Sequence, residues 1–363
     1  MASFANRKGT TKGGGTRLTR HDGTGRHFMP TMKDVAKAAG VSIATVSAAI
    51  TGSSFVSPPL KAKVNQAIEA LGYERNVVAS GLKRGRTSLI GLIVSDVTNP
   101  FFTELVDAVQ QKARQKGYSV LLGISDHDVA RETDLLRLMR SHQAEGTILC
   151  PTGSVEDYRD GRLGPGRMKI VMVDNAAPGL PYDTVALDNR AAAAMAARHI
   201  LSFGHRRLSV IAGPLHQFVG RERLDGFLEA TVAQGIEVEP SSIRPAAFRI
   251  QDAFDACSAI MARPERPTAL FVANNLMLIG VMKALAAAGI SVPDGISLTG
   301  IDDFPWASAF QPALTVVSQP IAEMAAAAFE RLDSRMNGDT SPAKHQSFAP
   351  QLLIRGSCAA PRA

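Results

Sequence analysis

From Leu89 onward the chain alternates short apolar runs with longer amphipathic stretches. The runs are LIGLIV (89–94), SVLLGI (119–124), GTILC (146–150), KIVMVD (169–174) and TVAL (184–187). A second series follows: LSVIAG (208–213), TALFVAN (268–274), ISLTGID (296–302) and LTVVSQ (314–319). Between them lie helix-length stretches, for example 102–116, 190–203, 221–234 and 276–288. Strands that are apolar on both faces and separated by helices predict βαβ units with parallel pairing. Nine such strands over some 270 residues exceed one comfortable doubly wound sheet. The pattern predicts two similar α/β lobes with a cleft between them, where ligands sit outside the carboxyl ends of the strands.

Residues 32–72 have another texture: short Ala-rich helical patterns separated by tight turns. The segment MKDVAKAAGVSIATVSAAITG (32–52) reads as a helix-turn-helix. Val35, Ala36 and Ala39 form an apolar face on the first helix, and Ala36 is small where the helices would cross. Gly40 supplies a turn that calls for positive φ. Ser42 stands at the N-cap of the second helix. Val46 and Ile50, four residues apart, face back onto the first. Residues 73–88 form a small basic connector.

Charge sharpens this division. The 363 residues carry a net +7, but the chain up to Arg86 holds 14 Lys+Arg against 4 Asp+Glu, a net of +10. The remainder holds 26 against 29, a net of −3. A basic module on a faintly acidic body points to a polyanionic partner at the N-terminal end and away from a plain metabolic enzyme. Six of the basic residues (Arg7, Lys8, Lys12, Arg17, Arg20, Arg26) lie in residues 1–30, which read as a disordered basic tail or as sequence upstream of a start at Met29 or Met32. That segment lacks the apolar stretch of a secretory signal. No run of about 18 apolar residues suggests a membrane span. Cys150, Cys257 and Cys358 fit no metal-ligand spacing and suggest a reduced, cytoplasmic chain. The eight histidines are scattered, and no H-E-x-x-H, G-x-S-x-G or phosphate-binding loop occurs. Neither an enzyme nor a cofactor or metal site is expected. His205 reads as structural, and the side chains of Asp302 and Asp303 are expected to diverge.

The span from about Thr31 to Pro361 resembles the lactose/galactose-repressor family of bacterial transcription regulators. The head carries KDVAKAAGVSIATVS, a third helix (59–71), LGY (71–73) and N-x-x-A-x-x-L (Asn76, Ala79, Leu82). The body carries DVTNPFF (96–102), LDN (187–189), FGHRRLSVIAGP (203–214), RERLDGF (221–227), VANN (272–275), GIDD (300–303), PALTVVSQP (312–320) and LLIRGS (352–357). The resemblance implies a helix-turn-helix domain over 31–75, a hinge helix over 76–88 and a two-lobed, periplasmic-binding-protein-like α/β body over 89–363. One lobe would span 89–188 with 320–350, and the other 190–318 with 351–363.

It also implies site residues. DNA contacts fall on Thr31, Lys33, Ser42, Ile43, Ala44, Thr45, Ser47 and Ala48 in the head. Asn76, Ala79, Leu82 and Lys83 supply them in the hinge, where Leu82 would wedge into the minor groove. A flexible linker is the alternative there, because Gly81 is a poor helix former and Ser80 stands where the family often has arginine. Ile43, Ala44 and Ala48 occupy the base-reading positions, and none can make the bidentate bonds that discriminate G or A. Direct readout is therefore expected to be narrow, with weight shifted to DNA shape.

In the body the implied effector contacts are Phe101, Phe102, Arg223, Phe248, Asn274, Asp302 and Trp306. The aromatics are open to a plain core role and Arg223 to a surface one. Asn275 departs from the family's acidic residue, and Gln217 and Val219 from the pair found in a purine-responsive member. A sugar or another small polyol is the expected effector. The combined reading is a cytoplasmic repressor, a homodimer or tetramer on a pseudo-palindromic operator, controlled by a ligand between two lobes. The alternative is a transport-type solute-binding protein without DNA function.

Overall fold

The structure is a computed structural model that describes residues 30–52, 54–73, 87–159 and 168–362. The chain divides into two compact units, Met1–Gly85 and Arg86–Ala363.

Among its described residues the first unit has three helices: α1 (Met32–Ala39), α2 (Ile43–Thr51) and α3 (Pro58–Leu71). Asp34 accepts hydrogen bonds from the Thr31 amide (2.8 Å) and hydroxyl (2.6 Å), closing the first turn of α1. These bonds hold the Asp34 carboxyl below its usual range, the hydroxyl bond contributing most. Gly40 ends α1 at φ 66°, which an L side chain adopts only with strain. The chain then turns through 104° into α2, and Ser42 Oγ accepts the Thr45 amide at 3.0 Å. Val35, Ala36, Val46, Val64 and Ala67 form the buried centre, with Ile50 packed against it.

Among its described residues the second unit holds two predominantly parallel sheets of six strands. The first has the order β11-β5-β4-β3-β1-β2, built from β1 (Leu89–Val94), β2 (Ser119–Ile124), β3 (Gly146–Leu149), β4 (Lys169–Val173), β5 (Asp183–Leu187) and β11 (His345–Phe348). The second has the order β12-β10-β9-β8-β6-β7: β6 (Leu208–Ala212), β7 (Ile243–Pro245), β8 (Ala269–Val272), β9 (Ser297–Ile301), β10 (Thr315–Ser318) and β12 (Gln351–Leu353). Only β12 runs antiparallel to its neighbour, β10. All nine apolar runs lie on strands. The short strands β7, β11 and β12 are additional to them.

The helices over these sheets start where their caps place them. Asn99 caps α4 (Pro100–Gln115), Asp128 caps α5 (Val129–Ser141), Asp188 caps α7 (Asn189–Ser202) and Asn274 caps α10 (Asn275–Ala287), each accepting a backbone amide. The others are the single turn α6 (Glu156–Arg159), α8 (Phe218–Val232), α9 (Ile250–Met261) and α11 (Ile321–Met336). In the second sheet's core Phe227 of α8 stacks on Phe271 of β8, with centroids 4.6 Å apart. In the first, Leu105 and Val109 of α4 pack with Ile90, Leu92 and Phe329 of α11.

The chain passes between the two lobes three times: after β5, after β10 and between β11 and β12. His205 ties down the C-terminal segment, meeting Thr268 Oγ1 at 2.9 Å, Ser297 Oγ at 3.0 Å and the Ala359 carbonyl at 2.8 Å. Its role is structural, as the sequence suggests. Among the described residues no single helix is long and apolar enough to cross a membrane.

Candidate functional site

The head presents a small exposed face at the start of α2. Ile43 is 45% exposed and Ala44 beside it is also exposed. Lys33 and Lys37 of α1 and Lys61 and Lys63 of α3 are exposed. Ser42 and Thr45 hydrogen-bond each other through their hydroxyls at 2.8 Å, and Thr31 spends its hydroxyl on Asp34. Ser47 is half-buried. Ala48 corrects the expectation drawn for it: only 8% of it is exposed, so it does not present itself to a base. Asn76, Ala79, Leu82 and Lys83 lie outside the described residues.

The cleft between the sheets is built from strand ends and helix starts. Its lining residues come from both lobes. Six of the seven body residues expected at an effector site line it: Phe101, Phe102, Arg223, Phe248, Asn274 and Asp302. Asn99 Oδ1 accepts the Phe101 amide at 3.0 Å, which sets both rings at the head of α4. The two rings meet edge to face, 5.0 Å apart. Phe248 enters from the opposite lobe at φ 58°. Its ring lies so close to Gly213 that a Cβ there would stand 2.2 Å from Phe248 Cζ.

Arg223 is only 2% exposed. Its Nε donates to Asn189 Oδ1 at 2.8 Å and its Nη1 to the Ala273 carbonyl at 2.6 Å. These bonds aim the guanidinium at Asp302, whose Oδ2 lies 3.6 Å away. Gln319 Nε2 donates to Asp302 Oδ1 at 2.5 Å, leaving Gln319 Oε1 buried without a partner. Asp303 turns the other way into a bidentate pair with Arg355, at 2.8 and 2.9 Å. The divergence expected of these neighbouring carboxylates is present.

Trp306 is the exception. It does not line the cleft, is 46% exposed and packs edge-on against Phe304 at 5.6 Å. It follows Pro305 in a turn beyond the end of β9, too far along the chain to stay at the strand mouth.

Asp174, Asn175, Gln217, Gln319 and His127 line the cleft without having been singled out as contacts. Asp174 had a signal: the run KIVMVD ends on a carboxylate as ISLTGID does, one in each series. Burial pushes the Asp174 carboxyl up to about 7; Arg223 pulls it down and Asp302 adds to the rise. Burial lowers the His127 imidazole below its ordinary value. Among the described residues no group of three or more His, Cys, Asp and Glu side chains is placed to hold a metal ion.

The cleft is bridged by hydrogen bonds. Asn275 Nδ2 donates to Asn99 Oδ1 at 2.9 Å, Gln217 Nε2 to the Thr152 carbonyl at 3.0 Å, and the Val219 amide to Asn175 Oδ1 at 3.1 Å.

Comparison with known proteins accords with both halves of this arrangement. Residues 31–76 match the lacI family of bacterial regulatory proteins, and residues 197–358 match a periplasmic binding protein-like domain. The ribose operon repressor of Escherichia coli is 33% identical over 329 residues, 91% of this chain and 100% of that one. The transcriptional regulator DegA of Bacillus subtilis is 31% identical over 330 residues, 90% of this chain and 97% of that one. Among solved structures, the lac repressor dimer bound to operator and the anti-inducer ONPF superposes with a TM-score of 0.83 at 25% identity, covering 92% of this chain and all of that one. A complex of the regulator CelR with cellobiose superposes at 0.68 with 27% identity, covering 90% and 99%. The chain belongs to the lacI family of bacterial regulatory proteins: it is a DNA-binding transcriptional regulator with an effector-binding body.

Proposed function

We propose that this regulator is a cytoplasmic repressor, acting as a homodimer on a pseudo-palindromic operator and released or tightened by a neutral monosaccharide in the cleft. It carries out no reaction of its own. Two-fold symmetry presents two heads to successive half-sites, as the operator-bound lac repressor dimer illustrates. The start of α2 would enter the major groove, with Ile43 and Ala44 against thymine methyls and the exposed lysines on phosphates.

The observation that carries the sugar reading is the composition of the cleft wall. Three phenyl rings can cover the C–H faces of a sugar ring, while Asp302, Asp174, Arg223, Asn274 and Gln319 surround its edge. Gln319 Oε1 is buried without a hydrogen-bond partner, so an acceptor remains for a ligand hydroxyl. Two carboxyl groups beside the guanidinium disfavour a phosphate or another anion. The ribose operon repressor and the cellobiose-bound CelR are both associated with neutral carbohydrates by name.

Ligand in the cleft would change the angle between lobes and so the operator affinity, a coupling worth about 1–3 kcal/mol. A mobility-shift titration on the protein's own upstream DNA tests the regulator reading, and a thermal-shift screen with D-ribose and other monosaccharides tests the effector. A true ligand at 100 times its Kd should add about 2.7 kcal/mol of stability. If nucleotides stabilise the protein and no neutral sugar does, the effector reading is wrong.

A further inference from the structure

The loop after β3 has three consecutive amides, and each of them is held by a side chain. Thr152 N–H donates to Glu132 Oε2 at 2.8 Å and to Tyr158 Oη at 3.0 Å. Gly153 N–H donates to Tyr158 Oη at 2.7 Å, and Ser154 N–H to Asp157 Oδ2 at 2.8 Å. Tyr158 passes its own hydroxyl proton to Glu132 Oε1 at 2.9 Å. Glu132, on α5, and Tyr158, on α6, are 1% and 2% exposed. Gly153 fits because it lacks a side chain: a Cβ would stand 2.8 Å from Asp157 Oδ2 and 3.1 Å from Tyr158 Oη.

The carbonyls of the same loop serve the opposite lobe. Thr152 C=O accepts from Gln217. Pro151 C=O accepts from Asn175 Nδ2 at 3.0 Å, which orients Asn175 Oδ1 toward the Val219 amide. Two of the three bridges across the cleft therefore rest on residues 151–153. A buried carboxylate is costly unless it is hydrogen-bonded, and Glu132 spends its acceptors on this loop and on the tyrosine that also holds it. Burial raises the Glu132 carboxyl above its ordinary range.

We infer that Glu132 and Tyr158 are positioning residues for lobe closure: they hold residues 151–153 so that the loop accepts the cross-cleft hydrogen bonds of Gln217 and, through Asn175, of Val219. The functional meaning rests on the reading of the cleft as an effector site. The closure itself does not, and it is measurable without any ligand.

Hydrogen–deuterium exchange on the full-length protein tests the inference. In Tyr158→Phe the amide of Val219, in the opposite lobe, should exchange at least about tenfold faster, corresponding to about 1.4 kcal/mol, while the core amide of Val316 in β10 stays protected. Faster exchange confined to Thr152 and Gly153, with Val219 unchanged, overturns the inference, because the pair would then stabilise only its own loop. Should Tyr158→Phe not fold, Glu132→Gln replaces it. That side chain keeps one acceptor oxygen, so Val219 should accelerate less but in the same direction, and an unaltered Val219 rate overturns the inference equally. A failure of every sugar to bind would count against the proposed effector and leave this result standing.

Discussion

Asp174 and Asp302 follow the ends of β4 and β9, one in each lobe, and adopt the same left-handed backbone at φ 70° and 73°. Each donates its amide to the next strand, Asp174 to the Val185 carbonyl at 3.0 Å and Asp302 to that of Val317 at 2.9 Å. Left-handed geometry at a non-glycine residue costs on the order of 1 kcal/mol and persists where the surroundings enforce it. Here it turns two carboxyl groups into one cleft.

Asp174 makes the protein pH-sensitive in a definite direction. Its folded pKa of about 7 stands above the ordinary 3.8. Its contribution to stability is therefore complete below the ordinary value and lost as pH rises through 7. Thermal denaturation of the parent and of Asp174→Asn between about pH 4 and 8 should show the parent losing on the order of 4 kcal/mol relative to the variant. Parallel curves would refute the shift.

Asn275 is a cross-lobe donor where the family's pattern has an acidic residue. Its partner Asn99 Oδ1 is already committed to the Phe101 amide and so presents an acceptor. Asn275→Asp would set a carboxylate oxygen against that acceptor at a fully buried position. A loss of about 1–3 kcal/mol at neutral pH is expected, read by calorimetry and shrinking as the pH is lowered. An unchanged melting temperature would mean that the Asn99–Asn275 contact contributes nothing.

Gly213→Ala should displace Phe248, since the added methyl would overlap the ring. Expected are a stability loss of about 1–3 kcal/mol and weaker sugar binding, followed by thermal shift and titration. If affinity survives, Phe248 is a wall of the core and no platform for a ligand.

On the head, Lys33→Ala should weaken binding to all DNA sequences alike and flatten the salt dependence by about one unit of slope. Ile43→Ala should instead weaken the specific site alone and leave the slope as it was. Mobility shifts at several salt concentrations, on operator and on unrelated DNA, separate the two. Equal losses on both DNAs for Ile43→Ala would remove it from the reading surface.

The sequence was most legible where a strand is an unbroken apolar run, and all nine such runs are strands, the half-buried edge strand β2 included. β11 reads HQSF and is largely exposed. Its pairing with β5, more than 150 residues earlier, comes from topology and not from any local pattern. The cleft was legible where a motif carries a chemically distinctive residue, as with Arg223 in RERLDGF and Asp302 at the end of ISLTGID. Gln217 and Asn175 escaped because their task, holding the other lobe, depends on what faces them across the cleft. Ala48 and Trp306 departed for another reason: a position in a motif does not say whether neighbouring residues cover a side chain or leave it at the surface.

The three passages of chain between the lobes restrict how the body can move. A single tether would let two lobes drift, twist and slide, but three short ones remove most of those freedoms. What remains resembles a door on its hinge post, with one angle to set. A solute gripping both walls then spends its binding energy on that angle and on little else.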